Sequence, residues 1–143
     1  MTIAELLAAA RSELERLDAR AAQAALAEGA ALIDIRTEAQ IAADGTVPGA
    51  LVIGRNVLEW RLDPASGVRH PQAPGLEDHV ILMCDEGYQS SLAAAALQRL
   101  GFDRATDLIG GFRAWRAAGL PVKPCSPDPQ PLGSPGAGVP AAV

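Results

Sequence analysis

The chain has 143 residues, 49% hydrophobic and 20% charged, with a net charge of -5, a size that suits one globular domain with a single core. The acidic balance and the lack of a clustered basic stripe argue against nucleic acid or an anionic membrane surface as the main partner, and no apolar stretch approaches the length that crosses a bilayer. The amino-terminal segment, with acidic Glu5, has no basic-then-apolar signal pattern and two cysteines build no disulfide framework, so a cytoplasmic setting with reduced thiols is expected.

In chain order, residues 1–15 hold apolar Ile3, Leu6, Leu7, Ala10 and Leu14 at helical spacing, which predicts an amphipathic helix packed on the outside of the domain. Arg16-Leu17 reads as a short extended piece, and Asp18 as the N-cap of a helix over Ala19 to Ala27 that Glu28-Gly29 ends. Ala31 to Ile35 is a buried strand, with polar Asp34 and Arg36 at its carboxyl end. Glu38 to Ala43 predicts one or two helical turns, Gly45 to Ala50 a turn, Leu51 to Ile53 a second strand and Arg55 to Trp60 a helical segment. Leu62 to Gly75 is a long polar loop. Val80 to Met83 is a third strand, Ser90 to Leu100 a helix stopped by Gly101, Ala105 to Ile109 a fourth strand, and Phe112 to Ala118 a last helix between Gly110-Gly111 and Gly119. Strands separated by helices imply a single α/β domain over residues 16–122, with a mostly parallel central sheet and helices on both faces. Residues 123–143 are too rich in proline and glycine for a helix or strand interior and read as a flexible tail.

Ligands of such folds sit beyond the carboxyl ends of the strands, and Cys84 stands at one of those ends, opening Cys84-Asp85-Glu86-Gly87-Tyr88-Gln89-Ser90 ahead of an alanine-rich helix. A strand that delivers a sulfur to a short glycine-containing loop, beside the unpaired N–H groups of a helix start, suits a negatively charged sulfur. Cys125 falls in the tail, where it is either an incidental surface thiol, the favoured reading, or a thiol that resolves an oxidised Cys84. His70 and His79 are isolated, and neither they nor the cysteines have the spacing of a metal site.

Four pieces in order, Leu32-Ile33-Asp34-Ile35-Arg36, Val47-Pro48-Gly49-Ala50, Cys84-x-x-Gly87 with Ser90, and Leu108-Ile109-Gly110-Gly111 with Trp115 and Gly119-Leu120-Pro121-Val122, resemble the rhodanese-like domain from about Asp18 to Val122. The resemblance implies a sulfurtransferase that needs no cofactor. Cys84 would be the nucleophile that takes sulfane sulfur from a small donor as a persulfide and passes it to a thiol or other acceptor. Asp85, Glu86, Gly87, Tyr88, Gln89 and Ser90 would form the loop that holds it, with Tyr88 and Ser90 as hydroxyl donors or Ser90 as a plain N-cap. Asp34 and Arg36 would brace the structure around the site.

The sequence departs from that pattern at Gln89, where many members carry arginine, and at Thr46, where a histidine is usual. Asp85 and Glu86 add negative charge, which opposes a dianionic donor such as thiosulfate. Arg55 and Arg61 either restore positive charge at the mouth or are solvated. Phosphate chemistry on a Cys-x5-Arg loop would require arginine where Ser90 stands. The alternative from another class is a non-catalytic binding or redox-sensing module, with a protein partner met through the acidic loop or the amino-terminal helix.

Overall fold

A computed structural model of the chain describes residues 1–125; most of the tail read over residues 123–143 lies outside the described residues. Helix α1 (Ile3–Arg11) opens on a capping box in which Thr2 and Glu5 satisfy each other's backbone N–H, at 3.1 and 3.2 Å. It is shorter than the apolar periodicity suggests. Ser12 caps it, and Leu14 continues through a turn to pack against the core. Asp18 caps α2 (Ala19–Ala27) by accepting the Ala21 N–H at 2.8 Å, and Thr37 forms a second capping box with Gln40 at the start of α3 (Glu38–Asp44).

Strands β1 (Ala31–Asp34), β2 (Leu51–Val52), β3 (Val80–Met83) and β4 (Ala105–Asp107) form a sheet of order β2-β1-β3-β4, every pair parallel. The sheet is shorter at its edges than the apolar runs, because Ile53 and Leu108 make only single further ladder bonds, to Asp34 O and Leu82 O. The extended Arg16-Leu17 piece pairs beside β4: Leu17 N donates to Asp107 O and Ile109 N to Leu17 O. That contact covers an edge which would otherwise present unpaired amides, and it sets Arg16 next to Asp107.

Side chains of β3 alternate between two cores. Val80, Leu82 and Cys84 face Ile35, Ile53, Leu58, Ala93, Ala94 and Leu97, under α4 (Leu58–Leu62) and α5 (Gln89–Arg99). Ile81 and Met83 face Leu32, Val47, Leu108, Phe112 and Trp115, under α2 and α6 (Gly111–Ala117). Helix α1 lies on α5. A 3-10 turn, Arg55–Val57, leads into α4. Thr46 and Lys123 exchange backbone hydrogen bonds at 2.9 and 2.8 Å. Among the described residues no helix is long and apolar enough to cross a membrane.

Candidate active site

β3 ends at Met83, and the next residue, Cys84, keeps 7% of its surface exposed where Met83 and Leu82 keep none. Its Sγ receives the Gly87 N–H at 3.1 Å and the Ser90 N–H at 3.3 Å. Among the described residues, no protein acceptor takes the N–H of Asp85, Glu86, Tyr88 or Gln89. α5 starts at Gln89 with Tyr88 in the cap position and no side-chain cap. The sulfur therefore stands where a capping oxygen would, at the positive end of the helix. This corrects the N-cap reading of Ser90, which lies inside the first turn.

The loop follows this path because two glycines let backbone approach backbone. Gly87 has φ +88, and a Cβ there would stand 2.7 Å from Gly110 N; a Cβ on Gly111, φ +63, would stand 2.5 Å from Cys84 O. With those contacts open, Phe112 N donates to Cys84 O at 2.9 Å and Arg113 N to Asp85 O at 3.2 Å, so the start of α6 holds the loop from the other side.

Behind the sulfur lies a buried polar network. The thiol donates to Ser90 Oγ at 3.2 Å, and Ser90 Oγ donates to Asp107 Oδ2 at 2.7 Å. Ser90 has one hydroxyl proton, and Asp107 takes it, so the hydroxyl accepts from the sulfur and does not donate to it. This corrects the expectation that Ser90 offers its hydroxyl hydrogen to the sulfur. Ser91 Oγ also donates to Asp107 Oδ2, at 2.8 Å, and Arg16 grips the same carboxylate through Nε to Oδ1 at 2.8 Å and Nη2 to Oδ2 at 3.2 Å. Asp107 is completely buried and fully satisfied by this set. Sequence reasoning missed Asp107, Ser91, Arg16 and Arg11. Asp107 stands at the carboxyl end of its strand, as Asp34 does, but Leu108-Ile109 extend the apolar run past it and hide that position in the sequence.

The remaining expected residues lie around this centre. Asp85 is held by Arg113, Nε to Oδ2 at 2.8 Å, and Glu86 lies 3.9 Å from the same nitrogen. The hydrogen bond and charge of Asp85, with smaller help from Glu86 and Asp44, hold the Arg113 guanidinium above its usual value. The loop's acidity is thus largely answered by a residue that sequence reasoning did not include. Tyr88 and Gln89 are exposed, and no hydrogen bond of the Tyr88 hydroxyl is found among the described residues.

Asp34 and Arg36 form a buried bidentate pair, at 3.0 and 2.7 Å, with Arg36 also donating to Gly45 O at 2.6 Å and stacking 3.9 Å from the Phe112 ring centroid. Thr46 donates to Asp34 Oδ2 at 2.7 Å, so its hydroxyl does more than fill space. Asp34 lies on the same side of the sheet as Leu32, opposite Cys84. Arg55 pairs with Glu59 at 2.8 Å and Arg61 donates to Val68 O at 2.6 Å. Among the described residues neither bonds to the loop.

A parallel α/β sheet with a sulfur at a strand's carboxyl end, capped onto the next helix by its own backbone, defines a class of cysteine-loop domain. The chain belongs to the rhodanese-like domain family, whose model matches residues 15–118. It is 35% identical over 95 residues to a sulfurtransferase of Allochromatium vinosum, covering 66% of this chain and 79% of that protein. It is also 35% identical over 96 residues to the human thiosulfate:glutathione sulfurtransferase, covering 63% and 83%. Among solved structures, a protein of unknown function from Rhodopseudomonas palustris, described as a possible tyrosine phosphatase, superposes with a TM-score of 0.79 at 32% identity, covering 86% of this chain and 95% of that one.

Proposed function

We propose that this chain is a rhodanese-type sulfurtransferase that carries sulfane sulfur as a persulfide on Cys84. The observation that supports the reading best is the reception of Cys84 Sγ by the Gly87 and Ser90 N–H groups, with further loop N–H groups left without a protein acceptor. In the first half-reaction the Cys84 thiolate attacks the outer sulfur of a donor. With thiosulfate, the new Cys84 S–S bond forms as the donor's S–S bond breaks, and sulfite departs with the electron pair. In the second, a nucleophilic acceptor such as a thiolate takes the outer sulfur and Cys84 regains its thiolate. In the first step negative charge passes from Cys84 Sγ to the outer persulfide sulfur and the departing sulfite, and in the second it returns to Cys84 Sγ; fixed backbone dipoles stabilise it without reorganising. Cytoplasmic conditions, where thiols stay reduced, suit such a carrier.

A phosphatase reading would require an arginine fork six positions after the cysteine. Ser90 stands there, and its hydroxyl is committed to Asp107. A partner-binding module would rest on the acidic loop, where Asp85 is already engaged by Arg113 and Glu86 is left as the exposed acid.

The test is mass spectrometry after incubation with thiosulfate. Wild-type protein gains one sulfur atom on Cys84 and releases thiocyanate when cyanide is added. Cys84→Ser gains none and releases none, and equal thiocyanate release by the variant would refute the reading.

A further inference from the structure

The hydrogen bonds behind the loop converge on one atom. The Gly87 carbonyl oxygen accepts from Arg11 Nη2 at 2.7 Å and from Arg16 Nη2 at 3.1 Å, and the Ser91 hydroxyl, whose proton goes to Asp107, lies 3.4 Å away. Arg11 Nε also donates to Ser91 Oγ at 3.0 Å, and the Arg11 guanidinium carbon lies 5.5 Å from the Tyr88 ring centroid. Arg11 is the last residue of α1 and precedes the segment 15–118 that matches the family.

The two guanidiniums are not equivalent. Arg16 is neutralised by Asp107, whereas among the described residues no carboxylate lies within ion-pair distance of Arg11. Arg11 therefore brings a net positive charge to a loop whose own side chains at 85, 86 and 89 are Asp, Glu and Gln. It also acts on the backbone. The peptide joining Gly87 to Tyr88 is trans, so its N–H points opposite to its C=O. Guanidinium bonds to the oxygen hold that N–H turned away from α1 and polarise it as a donor.

We propose that Arg11 is a positioning and specificity-determining residue for sulfur transfer. It clamps Gly87 so that the loop amides stay turned inward, and it supplies from behind the loop the positive charge for an anionic donor that Gln89 does not. The proposal rests on the sulfur-transfer reading, and thiosulfate is the probe that tests both.

In the full chain, Arg11→Met keeps the aliphatic stem and loses the charge and the donors, while Arg11→Lys keeps the charge without the fork. Loss of charge-assisted bonds predicts that Arg11→Met lowers kcat/KM for thiosulfate by about ten- to a hundred-fold, with a raised KM and a flattened dependence on ionic strength. Arg11→Lys retains the salt dependence and recovers most of the KM, but its kcat stays below wild type. A merely structural contact would cost both variants alike and leave the salt dependence unchanged, and that result overturns the proposal, as does wild-type kcat/KM in Arg11→Met. Circular dichroism reports folding; should Arg11→Met fail to fold, Arg11→Lys decides, and a wild-type kcat in it overturns the clamp. If wild-type protein itself takes no sulfur from thiosulfate, it is the sulfur-transfer reading that fails.

Discussion

Asp107 is the residue on which the site's polar scaffold meets. Its two oxygens collect a guanidinium and two hydroxyls at zero exposure, and a buried carboxylate is tolerated only when so satisfied. Asp107→Asn turns one acceptor into a donor facing Arg16 or the serines. The expected outcome is a loss of about 3–5 kcal/mol in stability, the range for breaking one side of a buried pair, read as the shift of the urea midpoint. A midpoint within error of wild type would show that the network contributes little. Cys84 was identifiable in the amino-acid order because strand, thiol and glycine loop are contiguous. Asp107 was not, because Ala105-Thr106-Asp107 runs straight into Leu108-Ile109 and reads as strand interior. Arg11 and Arg16 carry no local signal at all, since their partners are far along the chain and come near only through the packing of α1 on α5 and of Leu17 on Leu108.

Among elements, helices with strong caps were readable to within a few residues, Asp18 before α2 being the clearest. The second strand and the helix after it were less so, because burial there is set by the two-core packing of short pieces. The loop between α4 and β3 is tied by several side chains, Arg61 and Arg69 among them. The Arg61 guanidinium donates to Val68 O, and the Arg61 carbonyl accepts His70 N at 2.7 Å. His70 Nδ1 in turn accepts Gln72 N at 3.0 Å, which requires the neutral ring. Burial first, and then the charge of Arg61, hold His70 below 6.5; burial and Arg104 do the same to His79 against the pull of Glu15. A histidine whose folded value is lowered takes a proton more readily when unfolded. Its contribution is therefore complete above the unfolded value and is lost as pH falls below it. The melting temperature is expected to drop between about pH 7.5 and 5.5, above the range where carboxylates titrate. His70→Asn, which keeps an acceptor for Gln72, should drop less; an identical drop would acquit His70.

For the molecule as a whole, one short strand serves two cores, and damage to either should be felt throughout. Leu97 of α5 is fully buried on the Cys84 side of the sheet, and Trp115 is buried on the other. Leu97→Ala is expected to cost about 2–5 kcal/mol. Because β3 is common to both cores, Trp115 fluorescence, read in a Trp60→Phe background, and far-ultraviolet circular dichroism should report one shared transition. A fluorescence change at a denaturant concentration separate from the dichroism change would show that the faces come apart independently.

The alternation along Val80 to Cys84 also determines which lesions the chemistry survives. A conservative exchange at Val80, Ile81, Leu82 or Met83 alters volume and leaves the sulfur on its side of the pleat. Loss or gain of a single amino acid within them inverts the phase. The thiol would then be delivered beneath Phe112 and Trp115, away from the amides of the Gly87 loop, while the hydrophobic content of the run would be almost unchanged. Even if such a frame-preserving indel still allowed folding, the protein would lack its nucleophile, although Cys84's sulfur would still be present in the chain.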